Sequence, residues 1–295
     1  MKARPLGPGA GEVSVVSYGA WPLSERGRPG EAESIRVIQA ALDGGATLID
    51  TADAYCQHQG EAGHNERLVA QALAGWSGPR DTITVATKGG FVRPDGDWQH
   101  NARPDHLRQA CDRSLLALGV DRIDLYQLHS PDPDVPLPES VGLLGELQQE
   151  GKIRWVGLSN VTVDELRLAQ TLVDVTTVQN RLNPFFREAV ADGGTGGVVA
   201  ECADQGLGFL AYSPVGGGRL NKKLPDHPVL GPIAERHGVS PHAVALAWDL
   251  AQGPTVIVIP AARQLAQVGD SQAAAEIELS TEELAEIDEA EFSVA

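Results

Sequence analysis

Eight short apolar runs, most of them followed by a stretch with helical features, constrain the fold of this 295-residue chain more than anything else. The predicted strands are 13–19, 46–50, 82–88, 123–129, 153–159, 175–180, 207–213 and 255–260. Most runs are almost continuously apolar, which is typical of parallel strands buried on both faces. Predicted helices include 31–43, 104–118 and 138–150, the last two opening with proline. Two segments, Thr162 to Glu165 and Ser280 to Glu283, have the pattern of a capping box.

This repetition predicts a single α/β domain, 1–295, built as a (β/α)₈ TIM barrel. A doubly wound open sheet is the alternative, but no G-x-G-x-x-G segment follows the first strand. Residues 2–12 are expected to form a small hairpin at the barrel bottom. The longer connections 55–65, 89–103 and 214–232 follow strands two, three and seven. They should therefore lie over the C-terminal face, where barrel active sites are found.

The amino-acid composition disfavours some classes of binding partner. The 40 acidic and 23 basic residues give a net charge of −17, which disfavours binding to nucleic acid or to an anionic membrane. No apolar run is long enough to span a bilayer and no signal-peptide pattern opens the chain, so we expect a cytoplasmic protein. Cys56, His58 and His64 resemble metal ligands but lack an evident fourth, so no metal is expected. No self-association element is evident, and a monomer is expected.

Four polar residues stand at or just after the ends of predicted strands two, three and four. They are Asp50 and Tyr55 in LIDTADAY, Lys88 in VATKGG and His129 in LYQLHSPDP. A free tyrosine has a pKa of about 10, and a nearby ammonium favours its charged form. Lys88, oriented by Asp50, is therefore expected to lower the pKa of Tyr55. Tyr55 could then exchange a proton with a carbonyl oxygen that His129 holds by a hydrogen bond.

These fragments resemble the aldo-keto reductase family over nearly the whole chain. LIDTADAY is similar to the family's F-D-T-A-x-x-Y segment, and TKGG and LHSPDP match its lysine and histidine segments. GKIRWVGLSN, VQNRLNPF and FLAYSPVGGGRL match three further segments in the same order. The resemblance implies NADPH-dependent reduction of an aldehyde or ketone, a small-molecule carbonyl substrate, by reversible hydride transfer with Tyr55 as general acid and base.

The resemblance also implies which residues bind the cofactor. Ser159, Asn160 and Gln179 would bind the nicotinamide carboxamide, and Tyr212 would stack on the nicotinamide ring. The residues that would surround the pyrophosphate are Ser213, Val215, Gly217 and Leu220. Gly19 and Ala20 would lie near the cofactor at the end of the first strand.

The segment expected at the adenine end departs from the family pattern. IPAARQLAQVGDS keeps Arg263, which could clamp the 2′-phosphate of NADPH through a bidentate contact. Gln267 stands where many members have a second basic residue, and Asp270 and Ser271 replace the Glu-Asn pair that contacts adenine. NADPH is the expected cofactor, and NADH stays possible.

Trp21, Phe91, Trp98 and Arg219 are expected to line the substrate pocket, because they stand at the end of strand one or in the loops after strands three and seven. Cys56 replaces a family glycine after the catalytic tyrosine, and a thiol near Lys88 could be acidic and oxidisable. Two other functions fit the same residues: a cofactor-sensing regulatory subunit, and an NAD-dependent sugar or alcohol dehydrogenase.

Overall fold

The computed structural model describes residues 1–191 and 197–295. In these ranges the strands are β1 (Ala3–Pro5), β2 (Glu12–Ser14), β3 (Tyr18–Gly19), β4 (Leu48–Asp50), β5 (Thr84–Gly89), β6 (Phe91–Val92), β7 (Gln99–His100), β8 (Ile123–Leu128), β9 (Ile153–Ser159), β10 (Val175–Arg181), β11 (Gly208–Tyr212) and β12 (Val256–Val258). The α-helices are α1 (Glu31–Asp43), α2 (His64–Ala74), α3 (Pro104–Leu118), α4 (Leu137–Gln149), α5 (Val163–Gln170), α6 (Val198–Gln205), α7 (Gly217–Leu220), α8 (Leu230–His237), α9 (Pro241–Ala251), α10 (Leu265–Ala273) and α11 (Thr281–Glu289). Short 3₁₀ helices occur at Trp21–Leu23, Gln59–Glu61, Arg80–Thr82, Pro94–Gly96, Asn221–Lys223 and Ala274–Glu276.

Eight strands form one parallel sheet in the order β3-β4-β5-β8-β9-β10-β11-β12. Parallel bridges from Val16 to Val258 and from Gly19 to Ala261 bring the two edges of this sheet together. The sheet is therefore a nearly closed barrel with helices between its strands, and the predicted (β/α)₈ fold is confirmed.

The predicted N-terminal hairpin is also present. Strands β1 and β2 pair antiparallel, and the carbonyl of Leu6 accepts a hydrogen bond from the N–H of Gly208 at the start of β11. Leu6 is fully buried and packs with Val13, Leu48 and Leu210 inside the barrel. The hairpin thus fills the end of the barrel where the strands begin.

The predicted first strand, 13–19, is wrong as one continuous element. Its first half, β2, uses its backbone hydrogen bonds in the hairpin, so only β3 and the bridge at Val16 belong to the barrel. The helix predictions are closer. Two helices, α1 and α3, have the predicted bounds, α4 begins one residue early, and both predicted capping boxes form.

Alternation along the strands separates two layers of the barrel interior, because side chains two residues apart lie on the same face of a strand. The lower layer is apolar and includes Leu48, Ala86, Leu125, Leu210 and Ile257. Two residues further along the first four of these strands stand Asp50, Lys88, Gln127 and Tyr212. Polar groups therefore gather at the C-terminal end of the barrel, above an apolar base.

Candidate active site

Lys88 is a fully buried cation at the centre of the upper layer. Its Nζ donates hydrogen bonds to Oδ2 of Asp50 at 2.6 Å, to the carbonyl oxygen of Thr51 at 3.0 Å and to the hydroxyl of Tyr55 at 2.9 Å. A buried ammonium is costly unless it is paired and hydrogen-bonded, and here all three of its donors are used. Burial lowers the pKa of Lys88, and Asp50 opposes that shift.

Asp50 is held on both of its carboxylate oxygens. Oδ2 accepts from Lys88, and Oδ1 accepts from Nε2 of Gln179 at 2.7 Å and from Nε2 of Gln127 at 3.4 Å. Space for Gln127 depends on Gly157 of β9, since a Cβ there would lie 2.7 Å from Gln127 Cγ. Side chains from β8 and β10 therefore hold the Asp50 carboxylate in place, and the carboxylate in turn fixes the position of Lys88 on β5.

Sequence reasoning missed Thr51 and Gln127. Gln127 precedes His129 by two positions, so the two-residue period of a strand indicates that both lie on the same face. Thr51 acts through its carbonyl oxygen, and no side-chain pattern reports such a role. Its hydroxyl donates to Asn65 Oδ1 at 2.7 Å, which anchors this turn to α2.

Tyr55 presents its hydroxyl between Lys88 and the cavity above the barrel. Burial, followed by the negative charge of Asp50, raises the pKa of Tyr55 well above its ordinary value. This net direction is opposite to the lowering expected from Lys88 alone, because desolvation of the phenolate and the neighbouring carboxylate outweigh the ammonium. Tyr55 is therefore a neutral phenol at physiological pH, which is the form that donates a proton.

His129 lies beside Tyr55, with ring centroids 5.7 Å apart in an edge-to-face arrangement. Burial, with Lys88 and His100 as smaller contributions, lowers the pKa of His129 well below its usual range. Its Nδ1 is buried without a hydrogen-bond partner among the described residues. A neutral imidazole can donate one hydrogen bond, and His129 can give it to an oxygen bound next to Tyr55.

A cavity of about 880 Å³ opens above these residues, and we call it the active-site cavity. Most of the residues predicted for the site line it: Gly19, Trp21, Asp50, Tyr55, Phe91, Trp98, His129, Ser159, Asn160, Gln179, Tyr212, Ser213, Val215, Gly217, Arg263 and Gln267. Lys88 lies behind the wall and contacts the cavity only through Tyr55 and Asp50. The lining also includes Lys222, a cation that sequence reasoning did not single out.

Besides Lys88, five residues predicted for the site do not line this cavity: Ala20, Leu220, Arg219, Asp270 and Ser271. Ala20 and Leu220 are buried in the core. Arg219 donates to the carbonyl oxygen of Val294 at 2.7 Å, so its guanidinium holds the C-terminal segment. Asp270 accepts a hydrogen bond from Ser240 Oγ at 2.8 Å, and this contact supports the start of α9. The substrate-pocket prediction for Arg219 is therefore not supported by its position.

Two non-glycine residues in the cavity wall have left-handed backbone conformations. Asn160 has φ +60° and Ser213 has φ +50°, and such residues often stand at functional sites. Asn183 donates to the carbonyl oxygen of Ser213 at 2.9 Å and so holds this turn. Tyr212 donates to Asn160 Oδ1 at 2.7 Å, which links the loops after β9 and β11. The segments after β9 and β11 thus present a fixed polar edge to the cavity.

A two-stranded hairpin, β6 with β7, carries aromatic side chains to the cavity. Phe91 lies 4.9 Å and Trp98 lies 5.8 Å from His129, measured between ring centroids. Trp98 also lies 6.3 Å from Tyr55, and the guanidinium of Arg93 stacks on it at 4.2 Å. These rings form an apolar wall around the space next to the tyrosine hydroxyl.

Arg263 lines the cavity next to the segment that follows β3. Its Nε and Nη2 donate to the carbonyl oxygens of Pro22 at 3.3 Å and Arg26 at 3.1 Å, and its own N–H donates to Gln267 Oε1 at 2.9 Å. The guanidinium is therefore positioned by the loop after β3.

Cys56 does not fit the hypothesis of an acidic thiol. It is fully buried, and burial raises the pKa of its thiol to about 11 although Arg93 opposes the shift.

Within residues 1–191 and 197–295 no group of three or more His, Cys, Asp or Glu side chains is arranged to hold a metal ion. In the same ranges, no helix combines the length and the apolar character needed to cross a membrane.

Comparison with known proteins agrees with this architecture. The sequence profile described as "Aldo/keto reductase family" matches residues 15–291. The chain is 32% identical to "Probable aldo-keto reductase 1" of Glycine max over 314 residues, covering 97% of this chain and 87% of the relative. It is also 32% identical to the "6-dehydroglucose reductase" of Novosphingobium aromaticivorans over 285 residues, with coverages of 93% and 90%. A crystal structure of an aldo/keto reductase from Klebsiella pneumoniae in complex with NADP and acetate is similar at a TM-score of 0.81 and 28% identity, covering 98% of this chain and 95% of that one.

The barrel and its polar upper layer define an oxidoreductase that acts on carbonyl or alcohol groups. The matches extend over nearly the whole chain rather than one segment of it. The chain belongs to the aldo-keto reductase family.

Proposed function

We propose that this protein reduces an aldehyde or ketone to the alcohol with NADPH, and that Tyr55 is the general acid. The observation that carries the proposal is the 2.9 Å hydrogen bond from Lys88 to the Tyr55 hydroxyl, at the wall of the active-site cavity next to His129. A bound nicotinamide supplies the hydride for the carbonyl carbon. The protein residues orient the carbonyl oxygen and deliver its proton.

The proton transfer follows from the contacts of Tyr55. A substrate oxygen between Tyr55 and His129 accepts one hydrogen bond from each of them, which favours negative charge on that oxygen. When Tyr55 gives up its proton, the phenolate that forms is already next to the ammonium of Lys88. Asp50 holds that ammonium in place, and oxidation of an alcohol uses the same groups in reverse.

The residues around the cavity support a nicotinamide cofactor. Ser159, Asn160 and Gln179 stand close together in the cavity wall and offer donors and acceptors for a carboxamide. Tyr212 adds an aromatic face, and Lys222 and Arg263 add positive charge for phosphate groups. NADPH is proposed because Arg263 presents its guanidinium at the cavity and because the Klebsiella pneumoniae relative was crystallised with NADP.

The test is turnover of a panel of aldehydes and ketones with NADPH by wild type and two variants. We expect Tyr55→Phe to lose nearly all reduction while it still binds NADPH. The matched control is Tyr126→Phe, which removes a buried hydroxyl that has no hydrogen-bond partner among the described residues and does not line the cavity. Turnover by Tyr55→Phe at the wild-type rate would contradict the role given to this tyrosine.

A further inference from the structure

A second cavity of about 370 Å³ adjoins the active-site cavity. Its volume is at the lower end of the range for small-molecule sites, about 300–1,000 Å³. Trp21 and Arg263 line both cavities, so these two side chains form a shared wall. The reaction described above uses none of the residues that line only the second cavity.

The charges around the second cavity balance. Three carboxylates and three guanidinium groups line it: Glu25, Asp95, Asp97, Arg26, Arg93 and Arg263. The lining therefore carries no net formal charge, although it is rich in hydrogen-bonding groups. An anion would meet the carboxylates and a cation would meet the guanidinium groups, so neither charge is favoured. A neutral ligand with many hydroxyl groups is suited to it, because each hydroxyl can both donate and accept.

Hydrogen bonds hold part of the lining of the second cavity in place. Arg93 is 4% exposed, and it donates to Glu25 Oε1 at 2.6 Å and to the carbonyl oxygen of Gly96 at 2.8 Å. Its guanidinium also stacks on Trp98, the ring that flanks Tyr55. A chain of side-chain contacts therefore leads from the ring of Tyr55 through Trp98 to Arg93. Trp21, which is 37% exposed, supplies an aromatic face that lines both cavities.

We propose that the second cavity is the distal subsite for the substrate and binds a neutral, hydroxyl-rich group such as a sugar ring. The carbonyl that is reduced then lies between Tyr55 and His129, and an apolar spacer lies along Trp98. Hydroxyl groups of the distal part bind Gln57, Asp95 and Asp97, and its C–H face lies against Trp21. The proposal rests on the carbonyl reduction proposed above.

The test compares two aldehydes that differ only at the distal end: para-formylphenyl glucoside and para-methoxybenzaldehyde. We expect wild type to have a lower KM for the glucoside. Gln57→Leu and Asp97→Leu each remove hydrogen-bonding groups at similar size. Each should raise the KM for the glucoside about fivefold to tenfold, as expected for one lost hydrogen bond. The KM for para-methoxybenzaldehyde and the Kd for NADPH should stay at their wild-type values.

Gln148→Leu is the matched control, since Gln148 lies on α4 and its amide donates to the carbonyl oxygen of Arg154 at 2.9 Å, away from both cavities. It should leave every constant unchanged. An anionic aldehyde, para-formylphenoxyacetate, tests the balance of charge in the second cavity. Wild type should have a higher KM for it than for the glucoside, and Asp97→Arg should reduce this difference.

The outcomes separate this proposal from the proposed function. Equal KM values for the glucoside and para-methoxybenzaldehyde in wild type would overturn the distal subsite and leave carbonyl reduction standing. A rise in the Kd for NADPH in Gln57→Leu, with equal losses on both aldehydes, would assign the second cavity to the cofactor and also overturn it. Absence of turnover with both aldehydes and with the wider carbonyl panel would overturn both proposals together.

Discussion

The amide of Gln179 donates to Asp50 Oδ1 at 2.7 Å, on the carboxylate oxygen that Lys88 leaves free. Gln179 also lines the active-site cavity, so one side chain touches both the buried ion pair and the space for ligands. A ligand group that binds Gln179 is therefore separated from the Asp50 carboxylate, which orients Lys88, by a single side chain. This contact therefore connects the buried ammonium of Lys88 to the lining of the active-site cavity.

Lys88→Met should lower kcat for carbonyl reduction by about 10²–10⁴, the range for loss of general acid–base assistance. The methionine leaves Asp50 as an uncompensated buried carboxylate and removes the ammonium that stabilises the Tyr55 phenolate. Steady-state kinetics with NADPH and circular dichroism of the variant measure activity and folding separately. A well-folded variant with only a mild loss would mean that another group tunes the phenol.

The rate of reduction should stay flat from neutral pH to above pH 10, because the pKa of Tyr55 is raised well above its ordinary value of 10.0. The proton-bound form donates to the substrate, so activity is lost only as pH rises through the raised pKa. Oxidation of an alcohol needs the phenolate and should rise with pH over the same interval. The measurement is kcat against pH in both directions, and a fall in reduction near neutrality would contradict a neutral phenol.

Arg263→Ala should weaken NADPH binding about tenfold and leave NADH binding unchanged, because a guanidinium makes charge-assisted contacts only with the extra phosphate. Fluorescence titration with each cofactor gives the two dissociation constants. Arg36→Ala is the matched control, since Arg36 pairs with Glu33 on the exposed face of α1. Equal wild-type affinities for the two cofactors would make NADH the better assignment.

Asp249→Asn should raise the free energy of unfolding by about 1–3 kcal/mol at neutral pH, because the buried carboxyl group must take up a proton to fold at that pH and the amide needs none. Both carboxylate oxygens of Asp249 lack hydrogen-bond partners among the described residues, and burial raises its pKa well above 3.8. Because the folded state holds this proton more tightly, wild-type stability decreases as pH rises above the unfolded pKa. Urea unfolding at about pH 5 and pH 8 should show the larger gain at the higher pH. An equal gain at both would contradict the raised pKa.

Alkylation of Cys56 should be slow at neutral pH, because its thiol is fully buried and its pKa is raised to about 11. Peroxide should therefore inactivate wild type and Cys56→Ser at the same rate. The measurement is residual activity against time in peroxide. Selective protection of Cys56→Ser would show that the loop around Cys56 opens in solution.

The sequence predicted the barrel well because each strand carries its own signal. Buried parallel strands are apolar throughout, and Asp50, Lys88 and His129 stand at the ends of such runs. The prediction of the first strand joined parts of β2 and β3, because both are apolar and only their pairing partners distinguish them. Pairing partners are distant in sequence, and no local pattern reports them.

The sequence predicted which residues line the cavity better at the ends of strands than in the connections between them. Arg219 and Lys222 belong to the same connection after β11, yet Lys222 lines the cavity and Arg219 does not, because Arg219 donates to the carbonyl oxygen of Val294. The prediction that the pKa of Tyr55 is lowered was wrong for another reason. The sequence shows which charges are near, but desolvation depends on packing by residues such as Trp98 and His129.

Leu6 closes the lower end of the barrel, where it packs with Val13, Leu48 and Leu210. The polar layer above it therefore rests on an apolar floor, at the end of the barrel opposite the active-site cavity. Substrate, cofactor and water therefore reach Tyr55 through that cavity and not through the base of the barrel.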